Sequence, residues 1–220
     1  MKLVLASGSQ RRRELLTMCG YDYEIIVSNA DETIDENDPE SFVRALSFRK
    51  AKEVFDRLFA AGRRDFAVIG SDTVVAFQKE GETKPVIIGK PKDAEDAVRI
   101  LSMLSGKTHR VFTGVSVIAD IPDENAAAQC SILKKAEIQT ECSITEVTFE
   151  TLSPDEITDY VNSGDPLDKA GSYGIQGPFG MFVREIRGNY FTVIGMPIPV
   201  LYKMLKKIGI LPHGFYERIE

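Results

Sequence analysis

The chain has 220 residues, 43% of them apolar and 27% charged, with a formal net charge of −6. That length suits one domain, 1–220, or two tightly joined lobes, and no apolar run approaches the roughly 18–20 residues of a membrane span. The acidic balance excludes a general nucleic-acid binder, which draws its affinity from neutralising phosphates with lysine and arginine.

The opening "MKLVLASG" imitates a signal peptide, but its apolar core stops at Ala6 before Arg11–Arg13 intervene, short of the roughly 7–15 residues that secretion needs. Cys19, Cys130 and Cys142 lack CxxC spacing, so they suggest no disulfide framework and suit a reducing compartment; the cytoplasm is the expected location. Lys2–Ser7 reads as a buried strand, and Ser7-Gly8-Ser9 as a turn into a helix over Gln10–Cys19 that stops at Gly20. Tyr23–Ser28 reads as a second strand, followed by an acidic loop that closes on Pro39 and a helix from Glu40 to Ala60.

Phe66–Phe77 is apolar and β-branched except for Gly70-Ser71-Asp72-Thr73, a pattern that predicts two strand segments joined at a polar break. A hairpin through Gly81 leads to "VIIGKP", and a helix follows from Asp93 with Ala97, Ile100, Leu101 and Leu104 on one face. Thr108–Asp120 and Ala136–Glu150 alternate as long paired strands joined by Ile121–Lys135, and Ser153–Gly164 reads as a short helix. After the glycine-rich "DKAGSYGIQGPFG", "MFVREIRGNYFTVIG" reads as a hairpin and Pro197–Ile208 as a last helix. Long hairpins within an α/β alternation predict a mixed, largely antiparallel sheet flanked by helices.

The chemistry concentrates at a few points. A small-residue loop before a helix presents free backbone N–H groups, to which Ser7 and Ser9 add hydroxyls: the makings of an anion site. Three arginines at a helix N-terminus oppose the helix dipole and suit a phosphate ligand, which guanidinium binds through paired N–H groups. They span about 200° of helix circumference, so one ligand cannot collect them all; Arg12 shares its face with Leu15, Leu16 and Cys19 and is the first choice, with Arg11 beside it. The segment is neither a Walker loop nor a dinucleotide fingerprint.

Asp72 lies in a strand context that disfavours aspartate and makes an unpaired carboxylate costly, so it needs a partner; a turn aspartate bonded to its own backbone is one reading, a general base or metal ligand the other. Only His109 and His213 are available as imidazoles, which removes most zinc designs. Oxygen ligands then favour Mg²⁺ or Mn²⁺, with Asp72 and Glu32 as candidates, although Glu32 also reads as part of a solvated acidic run. Lys50, Lys90 and Lys169 are surface charges by default, but the last two sit in glycine- and proline-containing loops. Gln176, between glycines, offers an amide suited to a base edge.

"LASGSQRRRELL", "GSDTVV", "GKP", "HRVFTGV", "DKAGSYGIQG" and "NYFTVIGMP" occur in the order and spacing of the Maf family of nucleoside triphosphate pyrophosphatases, which the chain resembles from about residue 3 to 208. The resemblance implies a fold like that of inosine triphosphate pyrophosphatases, elongated mixed α/β with a cleft between two lobes. It implies hydrolysis of a nucleoside triphosphate to monophosphate and pyrophosphate with a divalent metal, and a homodimer. It makes Asp72 the proton acceptor and assigns Arg12, Thr73 and Gln176 to specificity in the branch acting on dTTP and UTP. It matches Ser7 to the serine of the family's first block, Glu32 to its acidic residue after the second strand, and Lys50 and Lys90 to its two phosphate-site lysines. Gln10 stands where the family has proline, and three arginines replace two, which leaves the register of Arg11–Arg13 open by one residue. A 7-methyl-GTP or damaged-purine pyrophosphatase, and a nucleotide-binding regulator of cell division, are the alternatives.

Overall fold

A computed structural model describes residues 1–78, 81–121 and 136–214. Its strands are β1 (Lys2–Leu5), β2 (Tyr23–Ile25), β3 (Phe66–Phe77), β4 (Val86–Ile88), β5 (Thr108–Ala119), β6 (Glu137–Phe149) and β7 (Val183–Arg187). Its helices are α1 (Gln10–Met18), α2 (Pro39–Ala60), α3 (Ala94–Leu104), α4 (Pro154–Asn162), α5 (Tyr190–Ile194) and α6 (Ile198–Lys207), with short 3₁₀ turns between Asp165 and Phe182. Cys130 and the Ile121–Lys135 connection from residue 122 onward lie outside the described residues, as do residues 79 and 80 of the β3–β4 turn.

The sheet runs β2-β1-β3-β5-β6-β7, with β4 on β3. β1 is parallel to both β2 and β3, and the remaining pairs are antiparallel. This is the mixed, helix-flanked sheet that the sequence predicts.

Helix starts follow local chemistry. Asp38, Asp93 and Ser153 cap α2, α3 and α4 by accepting from the backbone N–H three residues on, and Glu156 returns the bond to Ser153 N–H at 2.7 Å, a capping box. α1 differs from these three. Its Ser9 cap makes no side-chain bond and its first turn has no acid, so the three arginines remain uncompensated within the helix.

Two expectations fail. β3 runs unbroken through Ser71 and Asp72, in register with β5 from Ala67 to Ala76. The polar residues do not break it because each finds a partner beyond its own strand. The expected hairpin also ends after one arm: β7 pairs with β6, but Tyr190–Ile194 coils into α5. There Asn189 Oδ1 caps Phe191 N–H at 2.8 Å and Gly195, at φ 112°, stops the helix, which overrides the strand preference of its β-branched and aromatic residues.

The period of two in β3 divides the core. Phe66 and Val68 pack with Val54 and Ala51 of α2, and Val74 and Ala76 continue that face against Val43. On the other face Ala67 and Ile69 meet Leu16 of α1 and Leu201 of α6, whereas Val75 and Phe77 join Leu101 of α3 and Tyr160 of α4. Between these two apolar packs lie Ser71 and Thr73. β1 leaves β3 at Ile69, and β4 joins it only at Val75. Among the described residues the intervening stretch of β3, with Asp72 in it, therefore has no strand on that side. The gap opens at the carboxyl ends of parallel β1 and β2, where ligands of α/β sheets bind.

Candidate active site

Both faces of the gap carry polar groups, of different kinds. On the α2 face, Lys50 Nζ lies 2.8 Å from Asp72 Oδ1 and 2.9 Å from Glu32 Oε1. The Lys50 and Asp72 side chains are each only 12% exposed, whereas that of Glu32 is 64% exposed, so the first pair is shielded and the second reaches in from solvent. Lys50 has three N–H donors; two meet carboxylates, and the third is available to an anion.

Two glycines permit this. A Cβ on Gly70 would overlap the Ser47 carbonyl oxygen of α2, and one on Gly114, the β5 partner of Asp72, would overlap the Val43 carbonyl. Without side chains at these points α2 lies close on β3 and β5, fixed further by Ser47 Oγ to Ser116 Oγ at 2.9 Å and Ser116 Oγ to Thr140 Oγ1 at 2.9 Å. The helix thereby carries Lys50 to Asp72.

On the other face Arg12 enters from α1. Nε donates to Gly195 O at 2.8 Å, Nη1 to Ser7 Oγ at 3.1 Å and Nη2 to Thr73 Oγ1 at 3.4 Å. Burial pulls the guanidinium below its ordinary pKa while the charge of Asp72 opposes that shift; guanidinium nevertheless stays charged at any working pH. Ser7 Oγ also accepts from Ser9 N–H at 3.2 Å, so both its lone pairs are engaged and its hydrogen remains to be donated, as a phosphate oxygen requires. Ser71 Oγ lies 2.9 Å from both Gly114 O and Gly195 O, which share its one hydrogen.

Of the three arginines, Arg12 is the one whose side chain bonds Ser7 and Thr73 at the gap. Arg13 Nη2 turns back to Gly8 O at 2.8 Å and braces the loop. Arg11 contributes charge toward Asp168: desolvation would raise that carboxyl, but Lys169, by hydrogen bond and charge, and Arg11 more weakly hold it below the usual range.

The structure thus brings Ser7, Arg12, Glu32, Lys50, Asp72 and Thr73 together, with Ser9 one bond behind Ser7. Lys169 is tied instead to Asp165 Oδ1 at 3.0 Å and Asp168 Oδ1 at 2.8 Å. Lys90 lines a separate hollow of about 230 Å³ beside Val86, Lys92 and Arg99. Gln176 is exposed between its glycines. Gly195, whose carbonyl receives both Arg12 and Ser71, was not singled out by sequence reasoning; an acceptor on the backbone leaves no side-chain signature. Nor were Thr113 and Thr192, buried hydroxyls on β5 and α5.

Among the described residues no three His, Cys, Asp or Glu side chains gather as a metal site. Asp72 Oδ1 and Glu32 Oε1 do both bond the Lys50 ammonium, which draws the two carboxylates close to each other. Two carboxylates, with phosphate and water completing the shell, are the donor set Mg²⁺ uses at nucleotide sites, so the residues fit such an ion. No helix among the described residues is long and apolar enough to cross a membrane.

A dTTP/UTP pyrophosphatase of Agathobacter rectalis is 40% identical over 217 residues, covering 95% of this chain and 98% of its own. One of Bacillus thuringiensis is 42% identical over 210 residues, covering 95% and 96%. Among solved structures, the Staphylococcus aureus Ham1 protein aligns with 94% of this chain and 99% of its own at 16% identity and a TM-score of 0.47. The family model for Maf-like proteins matches residues 2–208, nearly the whole chain, and the chain belongs to the Maf family.

Proposed function

We propose that the protein hydrolyses dTTP and UTP, with modified pyrimidine nucleotides as further candidates, to the nucleoside monophosphate and pyrophosphate. The observation that carries the reading is the pairing of Asp72 with Lys50 at the open stretch of β3, opposite Arg12 and Ser7. It places a carboxylate, an ammonium, a guanidinium and a hydroxyl donor around one gap. The names of the two relatives above support the substrate class.

In this mechanism Asp72 accepts a proton from the water that attacks the α-phosphorus in line, with Oδ1 held by Lys50 and Oδ2 facing the water. The third Lys50 N–H, the Ser7 hydroxyl and the second N–H of Arg12 Nη1, beside Ser7, neutralise charge on the phosphate chain, while the second N–H of Nη2, beside Thr73, is left for the base. Lys90 joins them only if its loop brings it over the gap. Asp72 and Glu32 would hold Mg²⁺ or Mn²⁺, which supplies positive charge to the phosphates when bound. Arg12, Thr73 and Gln176 face the base. The free thiols of Cys19 and Cys142 suit work in a reducing cytoplasm.

Pyrophosphate release measured across dTTP, UTP, CTP, GTP and 7-methyl-GTP, with Mg²⁺ and with Mn²⁺, tests the reading. Preference for dTTP and UTP is expected. Preference for a purine would overturn the substrate, and binding without metal-dependent hydrolysis would overturn the enzyme.

A further inference from the structure

A chain of hydroxyls leads inward from Thr73. Thr73 Oγ1 and Thr113 Oγ1 are 3.0 Å apart, and Thr113 Oγ1 lies 2.7 Å from the carbonyl oxygen of Thr192 on α5. Thr113 and Thr192 have no solvent exposure, so no water can reset the pattern. A carbonyl only accepts, and a threonine hydroxyl has one hydrogen. Thr113 must therefore direct that hydrogen to Thr192 O; the opposite arrangement would set two lone pairs against each other at 2.7 Å inside the core, a buried mismatch that costs more than the bond it replaces. With the Thr113 hydrogen committed, the bond between the threonines can form only if Thr73 donates. Thr73 then has no hydrogen left for the gap and presents lone pairs alone, one of them toward Arg12 Nη2 at 3.4 Å.

We propose that Thr113, which touches no substrate, is a positioning residue for base selection: it fixes Thr73 as an acceptor, so that the site takes a ring N–H beside a carbonyl. The inference rests on the reading of the site as a pyrimidine nucleotide site. Uracil and thymine carry N3–H next to a carbonyl. Thr73 accepts from the N–H, and the adjoining Arg12 N–H donates to the oxygen. Cytosine has an unprotonated N3, which meets the Thr73 lone pair in repulsion, and can satisfy the same pair only by sliding one atom along its edge to present its amine. Ser7 shows the opposite polarity by the same accounting, with both lone pairs engaged and its hydrogen outward. The two hydroxyls flanking Arg12 are thus set differently, one for a phosphate oxygen and one for a base N–H.

The test is the ratio of kcat/KM for UTP to that for CTP in wild type, Thr113→Val and Thr113→Ser. Valine matches threonine in shape but removes the acceptor for the Thr73 hydrogen, which becomes free to turn outward and serve cytosine. The ratio should narrow about tenfold, mainly through gain on CTP. Serine restores the hydroxyl and should restore the wild-type ratio. If the valine variant does not fold, Thr113→Ala makes the same comparison. Equal losses on both nucleotides, with the ratio unchanged, would mean that Thr113 only packs and would overturn the inference. A serine variant as indifferent as the valine would do the same. Absence of any UTP preference in the wild type would instead bring down the pyrimidine reading, and this inference with it.

Discussion

The two faces of β3 at the gap solve different problems. The α2 face holds charges against charges, Lys50 between Asp72 and Glu32, close on a strand where glycine rather than a side chain sets the distance. The α1 and α5 face is a hydrogen-bond lattice in which Arg12, Ser71 and Thr113 donate to backbone carbonyls, Gly195 above all, and Ser7 and Thr73 accept from Arg12. Charge pairs leave a carboxylate ready to accept a proton. Directed hydroxyls recognise a shape of donors and acceptors. Changes on the first face should therefore alter turnover, and changes on the second should alter affinity and choice of base.

The largest effect is expected from Asp72→Asn, which keeps the shape but removes the proton acceptor: kcat should fall by about 10²–10⁴ with the thermal midpoint nearly unchanged. Survival of turnover within about tenfold would move the base elsewhere. Gly114→Ala lifts α2 from β5 without touching any reacting group. It should destabilise the fold by about 1–3 kcal/mol, by the usual cost of overpacking, seen in urea titration, and lower kcat while leaving the UTP/CTP preference alone. A changed preference would break the division between faces.

Acidification needs a control, because stability and activity both respond to it. His109, at the far end of β5, is 2% exposed, with Nε2 3.0 Å from Tyr173 OH and its ring edge-on to Phe149. Burial pushes its pKa down to about 3, against about 6.5 in the unfolded chain. The unfolded state binds the extra proton, so the stability from keeping His109 neutral is complete above pH 6.5. It falls as the pH drops toward 3, by about 2 kcal/mol between pH 6.5 and 5. Urea midpoints at pH 7 and 5 should show that slope in wild type and lose it in His109→Gln, while the two proteins share one pH profile of activity. The smallest effect is expected from Arg12→Lys: a point charge replaces the fork, so KM rises about tenfold with kcat nearly kept. A fall in kcat alone would place Arg12 with the charged face.

Much of this was legible in advance. Arg12 was marked by sharing a face with Leu15 and Leu16, both buried, and Asp72 by a carboxylate in an apolar strand that required a partner. The partner itself was not legible. Lys50 stands 22 residues before Asp72 and meets it only because Gly70 and Gly114 admit α2, a fact of packing between elements. The same limit explains the misplaced strand break: Ser71 is at home in β3 because Gly114 O and Gly195 O, distant in sequence, share its hydroxyl hydrogen. Tyr190–Ile194 looked like strand by composition, and its Asn189 cap and Gly195 stop, both visible in the sequence, were the better guides. Lys169 drew attention by its glycine-rich loop, but its neighbours Asp165 and Asp168 claim it.

The central claim is that Asp72 directs water to the α-phosphorus. Hydrolysis of UTP in ¹⁸O-labelled water, with products read by mass spectrometry, tests it at the reacting atom. The account predicts one labelled oxygen in UMP and unlabelled pyrophosphate. Label in pyrophosphate, or release of labelled orthophosphate, would place the attack at another phosphorus and contradict it.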